Sequence, residues 1–129
     1  MDIAIFGKTV AETHKGYLSQ LINKLDDLGV NLIFYEPYFR KIEGLITKPA
    51  RISFFNQHSD LSGKEDFLFS IGGDGTLLDT ITFIRDSGIP ILGVNLGRLG
   101  YLSSISQDET MLAIDRLFEG KYNLDKRTL

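Results

Sequence analysis

Cysteine is absent from the 129 residues, which removes disulfides, thiolate metal sites and cysteine nucleophiles together and fits a reducing compartment. Any chemistry here has to come from oxygen and nitrogen groups. Long apolar runs are missing too. None approaches the roughly 18 residues of a membrane span, and residues 1–7 read as a strand rather than a basic, apolar secretory leader. The cytoplasm is therefore the expected compartment, with no membrane partner. A surplus of basic charge is also lacking: 17 acidic residues outnumber 14 basic ones for a net charge of −3. The lysines and arginines are dispersed, so no footprint for a DNA or RNA backbone is present and nucleic acid is not an expected partner. His14 and His58 stand apart, without the spacing of a metal site or a triad, and read as surface residues. Two nucleotide fingerprints are missing as well, G-x-x-x-x-G-K-[ST] and G-x-G-x-x-G, which disfavours P-loop NTPases and ordinary dehydrogenases.

What is present is enough for one globular domain. With 43% hydrophobic and 24% charged residues, the chain can bury a core but is too short for two ordinary domains. Asp2-Ile3-Ala4-Ile5-Phe6-Gly7 is an apolar run closed by glycine, the pattern of a strand buried on both faces. Residues 13–28 place Tyr17, Leu18, Leu21, Ile22, Leu25 and Leu28 on one helical stripe, with Gly29 at the C-cap position. Residues 30–35 make the next strand, completing a β-α-β unit with a right-handed crossover. Tyr38, Phe39, Ile42, Leu45 and Ile46 predict a short helix that Pro49 stops. Residues 52–55 suit a short or edge strand, and the polar stretch 56–66, with Leu61 its one apolar residue, reads as a mobile surface loop.

Order returns with Phe67-Leu68-Phe69-Ser70-Ile71, an apolar strand running into Gly72-Gly73-Asp74-Gly75-Thr76 and then a helix predicted over residues 77–86, ended by Gly88 and Pro90. Residues 91–94 form another buried strand, Gly97-Arg98-Leu99-Gly100 a second glycine-bearing turn, and residues 101–105 a further extended segment. Ser106 and Glu109 form a capping box for a last helix carrying Met111, Leu112, Ile114, Leu117 and Phe118. Alternating strands and helices predict an α/β, doubly wound, mainly parallel sheet flanked by helices, spanning residues 1–121.

The glycine turn is where chemistry is expected. Three glycines in four positions let the backbone approach a ligand, and the helix that follows offers unpaired N–H groups with partial positive charge. A polyphosphate fits there; a tight turn without a ligand is the plainer alternative. Asp74 is the odd member, because a carboxylate repels phosphate unless a metal or a proton transfer gives it a role. As a general base it can accept the proton of a hydroxyl attacking a γ-phosphoryl group; as an Asx turn it would bond its own loop.

Ile71-Gly72-Gly73-Asp74-Gly75-Thr76-Leu77-Leu78 resembles the G-G-D-G-T block shared by NAD kinases, diacylglycerol and sphingosine kinases and, more loosely, 6-phosphofructokinases. The second block, Ile91-Leu92-Gly93-Val94-Asn95-Leu96-Gly97-Arg98-Leu99-Gly100-Tyr101-Leu102, is similar to the NAD kinase pattern of a strand, Asn-x-Gly-x-Leu-Gly and an aromatic. The resemblance implies a Rossmann-like N-terminal domain in which Gly72, Gly73, Gly75 and Thr76 line the phosphates. It also implies that Asp74 activates the adenosine ribose 2′-hydroxyl of NAD, with ATP-Mg²⁺ as donor and NADP⁺ and ADP as products. No protein residue is assigned as a metal ligand. Tyr101 stands where the family usually has phenylalanine near the adenine. Leu78 and Asn95 match motif positions that line the pocket, while Leu78 also suits a core and Asn95 a turn. Arg98 receives no role, and Asp2 and Lys8 are uninformative.

In such a family, residues 122–129 would lead into a second, β-rich domain carrying much of the NAD site, so a chain ending there would lack half the cleft. Full-length members form dimers or tetramers. ATP and polyphosphate remain open as donors, and NAD and NADH as acceptors. The competing readings are a nucleotide-binding module without turnover and a fragment of a lipid kinase.

Overall fold

The structure, a computed structural model, describes residues 1–8, 15–63, 65–72, 74–84, 88–95, 104–105, 112 and 114–116. Among the described residues six strands form one sheet: β1 (Asp2–Gly7), β2 (Asn31–Tyr35), β3 (Ile52–Phe55), β4 (Phe67–Gly72), β5 (Ile91–Asn95) and β6 (Ser104–Ile105). Their order is β3-β2-β1-β4-β5-β6, and every pairing is parallel. Among the described residues, the helices with assigned bounds are α1 (Lys15–Asp27), α2 (Glu36–Ile42) and α3 (Asp74–Ile84). This is the expected doubly wound sheet.

Side-chain alternation explains why β1 and β4 are central and continuously apolar. Ile3, Ile5, Leu32, Phe34, Phe67, Phe69 and Ile71 point to one face, where α1 and α2 bury them with Leu18, Leu21, Leu25, Tyr38 and Ile42. Ala4, Phe6 and Leu68 point to the other, covered by Ile84 and Phe83 of α3 and by Phe55 and Leu61. A strand covered on both sides has no polar register to offer, so its sequence reads as an unbroken apolar run. Ile114 also lies in the first core cluster, and Lys24 of α1 forms an ion pair with Asp115 at 2.7 Å.

Helix α1 ends as its sequence requires. Gly29 takes φ +78°, Val30 N–H bonds the Leu25 carbonyl at 3.1 Å and Gly29 N–H the Asp26 carbonyl at 3.0 Å, the paired bonds of a Schellman cap. Leu28, placed on the apolar stripe by spacing, is exposed instead, because the cap turns the chain away from the core.

Two boundaries differ from expectation. Helix α2 starts at Glu36, with Pro37 in its first turn, and stops at Ile42, well before Pro49. Helix α3 starts at Asp74, three residues earlier than predicted, so Asp74, Gly75 and Thr76 form its first turn rather than a loop. The loop between β3 and β4 holds a 3-10 turn, His58–Asp60. Asp60 accepts the N–H groups of Asn56 and Gln57, Glu65 those of Ser62 and Gly63, and Leu61 is buried. The predicted capping box at Ser106 and Glu109 lies outside the described residues, as do residues 96–103 and 117–129.

Candidate functional site at the switch point of the sheet

From β1 the chain moves outward to β2 and β3, then returns to lay β4 on the opposite side of β1. Crossovers leaving β1 and β4 therefore cover opposite faces, and a crevice opens at the carboxyl ends of these strands, where open α/β sheets take their ligands. Gly7 of β1 stands opposite Ile71 of β4, and Gly72 of β4 opposite Asn95 of β5. The sheet thus brings three sequence-predicted positions to one rim: the glycine turn, the first turn of α3 and the end of β5.

The glycines here are glycine for different reasons. Gly72 has φ +151°, and a Cβ on it would lie 2.6 Å from Thr76 Oγ1 and 2.9 Å from Thr76 Cβ. Both the backbone conformation and the closeness of Thr76 exclude a side chain there. Gly75 is the opposite case: it is exposed, and a Cβ on it would meet nothing within 4 Å. A glycine in a helix costs about 1 kcal/mol relative to alanine, and no packing among the described residues asks for it. Room left open beside the N–H groups of a helix start suits a ligand that approaches the backbone.

A buried polar relay anchors this first turn to the sheet. Thr80 Oγ1 donates to the Thr76 carbonyl at 2.7 Å and lies 2.8 Å from Ser70 Oγ. Because the Thr80 proton is committed to Thr76, the Ser70 hydroxyl must be the donor to Thr80. Ser70 and Thr80 are both buried, and the relay explains a serine inside an otherwise apolar strand.

Leu77 and Ile84 join Thr80 on the buried side of α3, which leaves Leu78 54% exposed. The core reading of Leu78 is thereby removed, since about 100° of helical rotation separates it from Leu77. Asp74 opens α3 and Asn95 closes β5. Gly73 and Tyr101 lie outside the described residues.

Tyr38, placed by spacing only on the stripe of a short helix, meets Lys8 and Lys41 at the end of β1. The Tyr38 ring lies against Gly7 so closely that a Cβ there would stand 2.5 Å from Tyr38 Cε1 and 2.7 Å from Cζ. Among the described residues the buried Tyr38 hydroxyl has no hydrogen-bond partner, and burial raises its pKa well above the ordinary phenol value. One helical turn on, Lys41 Nζ donates to the Lys8 carbonyl at 2.5 Å, and Lys8 Nζ pairs with Asp79 Oδ2 of α3 at 2.5 Å. Strand alternation could have placed Lys8 on the α3 face with Phe6. Its partner, 71 residues away, leaves no trace in local spacing.

Among the described residues no three of His, Asp and Glu stand together as a metal cage. Among them, too, no helix is long and apolar enough to cross a membrane.

The fold and the rim define a class: a doubly wound α/β protein with a strand, glycine turn and helix at its switch point. A profile of the ATP-NAD kinase N-terminal domain matches residues 46–122. The chain is 36% identical over its whole length to an NAD kinase of Cytophaga hutchinsonii and 33% identical to one of Flavobacterium psychrophilum, covering 44% of each. In three dimensions it is similar to yeast NADH kinase, solved in complex with NADH, at TM-score 0.77 and 20% identity over 94% of this chain and 38% of that one. The chain belongs to the ATP-NAD kinase family, which takes its glycine block out of the lipid-kinase alternative. It spans less than half the length of these relatives.

Proposed function

We propose that this chain is the nucleotide-handling N-terminal part of an NAD kinase, which transfers the γ-phosphoryl group of ATP-Mg²⁺ to the adenosine ribose 2′-hydroxyl of NAD. The observation that carries the reading is the glycine turn at the switch point, with Gly72 closed by Thr76 and Gly75 left open beside the first turn of α3. Gly72, Gly73, Gly75 and Thr76 cradle the donor phosphates with backbone N–H groups, which need no ionisable side chain to stabilise charge. Asp74 accepts the proton of the ribose hydroxyl as its oxygen attacks phosphorus. The new bond joins the ribose oxygen to the γ-phosphorus, the bond from that phosphorus to the β-bridging oxygen breaks, and ADP and NADP⁺ leave with the proton passed to solvent. Leu78, Asn95 and Tyr101 line the dinucleotide side.

In this reading residues 1–121 are the nucleotide domain, residues 122–129 the connection to a β-rich domain that completes the NAD site, and the whole enzyme a cytoplasmic dimer or tetramer. ATP is favoured over inorganic polyphosphate because NAD kinases named for ATP supply the matching profile.

The test is NADP⁺ formation by the complete protein, followed with a coupled dehydrogenase, for wild type and Asp74→Asn. We expect the variant to fold normally and to lose about 10²–10⁴ in kcat, the range for a lost general base. Turnover close to wild type would remove Asp74 as the base. A wild-type protein that forms no NADP⁺ while binding ATP would make the chain a binding module.

A further inference from the structure

We infer that Lys8 is a ligand for the donor's polyphosphate, and that Asp79 parks its ammonium until a phosphate displaces it. The inference rests on the reading of the rim as a phosphate-donor site, and it adds a residue that the glycine block does not contain.

The argument begins with register. Gly7 stands opposite Ile71, so Lys8 leaves β1 at the level where β4 enters its glycine turn. Alternation sends its side chain to the face covered by α3, and the ammonium meets Asp79, five residues after Asp74 and so about 7.5 Å along the helix from its start. Lysine carries its charge on a flexible four-carbon stem, which can swing from the second turn of α3 toward the first without moving the backbone.

That backbone is held from the other face. Lys41 Nζ binds the Lys8 carbonyl, and the Tyr38 ring closes on Gly7. Tyr38 and Lys41 sit one turn apart on α2, so one short helix secures both of the last positions of the strand. The side chain, by contrast, is 54% exposed and its partner 49% exposed, and exposed ion pairs are weak. Lys8 is thus fixed at its root and held at its tip by an exposed pair with Asp79, which lies one helical turn from Gly75. Lys8 and Lys41 bring two ammonium groups to this strand end, one pairing with Asp79 and the other binding the Lys8 carbonyl, while α3 opens on Asp74. A polyphosphate presents several negative charges where Asp79 presents one, so its Coulomb attraction for the ammonium exceeds that of the single exposed carboxylate.

The test separates the donor from the acceptor. In the complete protein, KM for ATP-Mg²⁺ and KM for NAD are measured for wild type, Lys8→Met, Lys8→Arg and Asp79→Asn, with thermal melts as a check on folding. Lys8→Met should raise KM for ATP about tenfold, the loss of roughly 1.4 kcal/mol of binding, and leave KM for NAD within about twofold. Lys8→Arg should keep most of the ATP affinity, and Asp79→Asn should improve it, because the competing carboxylate is gone.

An unchanged KM for ATP in Lys8→Met overturns the inference, as does an equal rise in both KM values. It also fails if Asp79→Asn weakens ATP as much as Lys8→Met does, since the pair itself would then be what matters. If wild type forms no NADP⁺, the proposed function fails, and Lys8 is judged separately by calorimetric titration with magnesium tripolyphosphate. Binding that Lys8→Met weakens about tenfold upholds the inference. Equal binding by the two proteins, or none by wild type, overturns it.

Discussion

Replacing Tyr38 by phenylalanine should make the protein more stable. The ring is 1% exposed and fills the space above Gly7, so Tyr38→Phe keeps the packing and removes only the hydroxyl. That hydroxyl has no hydrogen-bond partner among the described residues, and a buried polar group left unsatisfied costs about 1–3 kcal/mol. Its oxygen makes some dispersion contacts that the variant forfeits, each worth about 0.1–0.2 kcal/mol, which leaves a net gain of about 1–2 kcal/mol. At about 2.1 cal/mol/K of unfolding entropy per residue, a chain of this length gains roughly 4 °C in Tm for each kcal/mol.

The pH dependence gives a second, independent reading. Burial raises the folded-state pKa of Tyr38 above its unfolded value of about 10, so the unfolded chain releases this proton first. The stability linked to it is complete below pH about 10 and is lost as pH rises toward the folded value. Wild type and Tyr38→Phe should therefore run parallel in urea melts from pH 6 to 9 and diverge above pH about 10, with the variant losing less. A variant less stable than wild type at pH 7 would mean that the hydroxyl has a partner, and parallel curves at high pH would mean that it is not buried. Either result refutes the reasoning. Because the ring stays against Gly7, KM for ATP should not move.

Two further substitutions test the anchoring of the glycine turn. Gly72→Ala imposes a side chain at φ +151° and within 2.6 Å of Thr76 Oγ1; we expect about 1–3 kcal/mol of backbone strain before Thr76 moves, read as a lower urea midpoint together with weaker ATP binding. Thr80→Val leaves the buried Ser70 hydroxyl without its acceptor and should cost about 1–3 kcal/mol, whereas adding Ser70→Ala should recover part of it in a double-mutant cycle; strictly additive losses would show that the relay is not a unit.

Much of the fold was legible because its pattern is local. The apolar runs of β1 and β4 announced strands covered on both faces, the stripe from Tyr17 to Leu25 announced α1, and Gly29 its cap. The start of α3 was misjudged for a physical reason. Glycine is a poor helix former, so propensity argues against a first turn of Asp74, Gly75 and Thr76; the turn is held by Thr80 and Ser70, ten residues apart in sequence. For α2 the spacing continued through Leu45 and Ile46, but the helix stops at Ile42. Leu78 suited a core on sequence alone, but about 100° of helical rotation turns it away from the buried Leu77. Lys8 was beyond local reading, since its partner lies 71 residues away; the stripe placed Tyr38 on the buried side of α2, but not against Gly7.

These long-range contacts share a direction. Tyr38 and Lys41 secure β1 from the α2 side, and Ser70 and Thr80 secure α3 from within the sheet. Outward of these anchors stand Gly75, with open space where a side chain would be, Leu78, more than half exposed, and the loosely paired Lys8 and Asp79. The backbone at the rim is fixed while its outward groups are uncommitted. In the proposed phosphate site a ligand would order the Lys8 side chain, at about 0.5–1.5 kcal/mol for an immobilised long side chain. Preorganised backbone N–H groups of this kind stabilise developing charge without rearranging during the reaction, which is what transfer of a phosphoryl group demands of the protein around it.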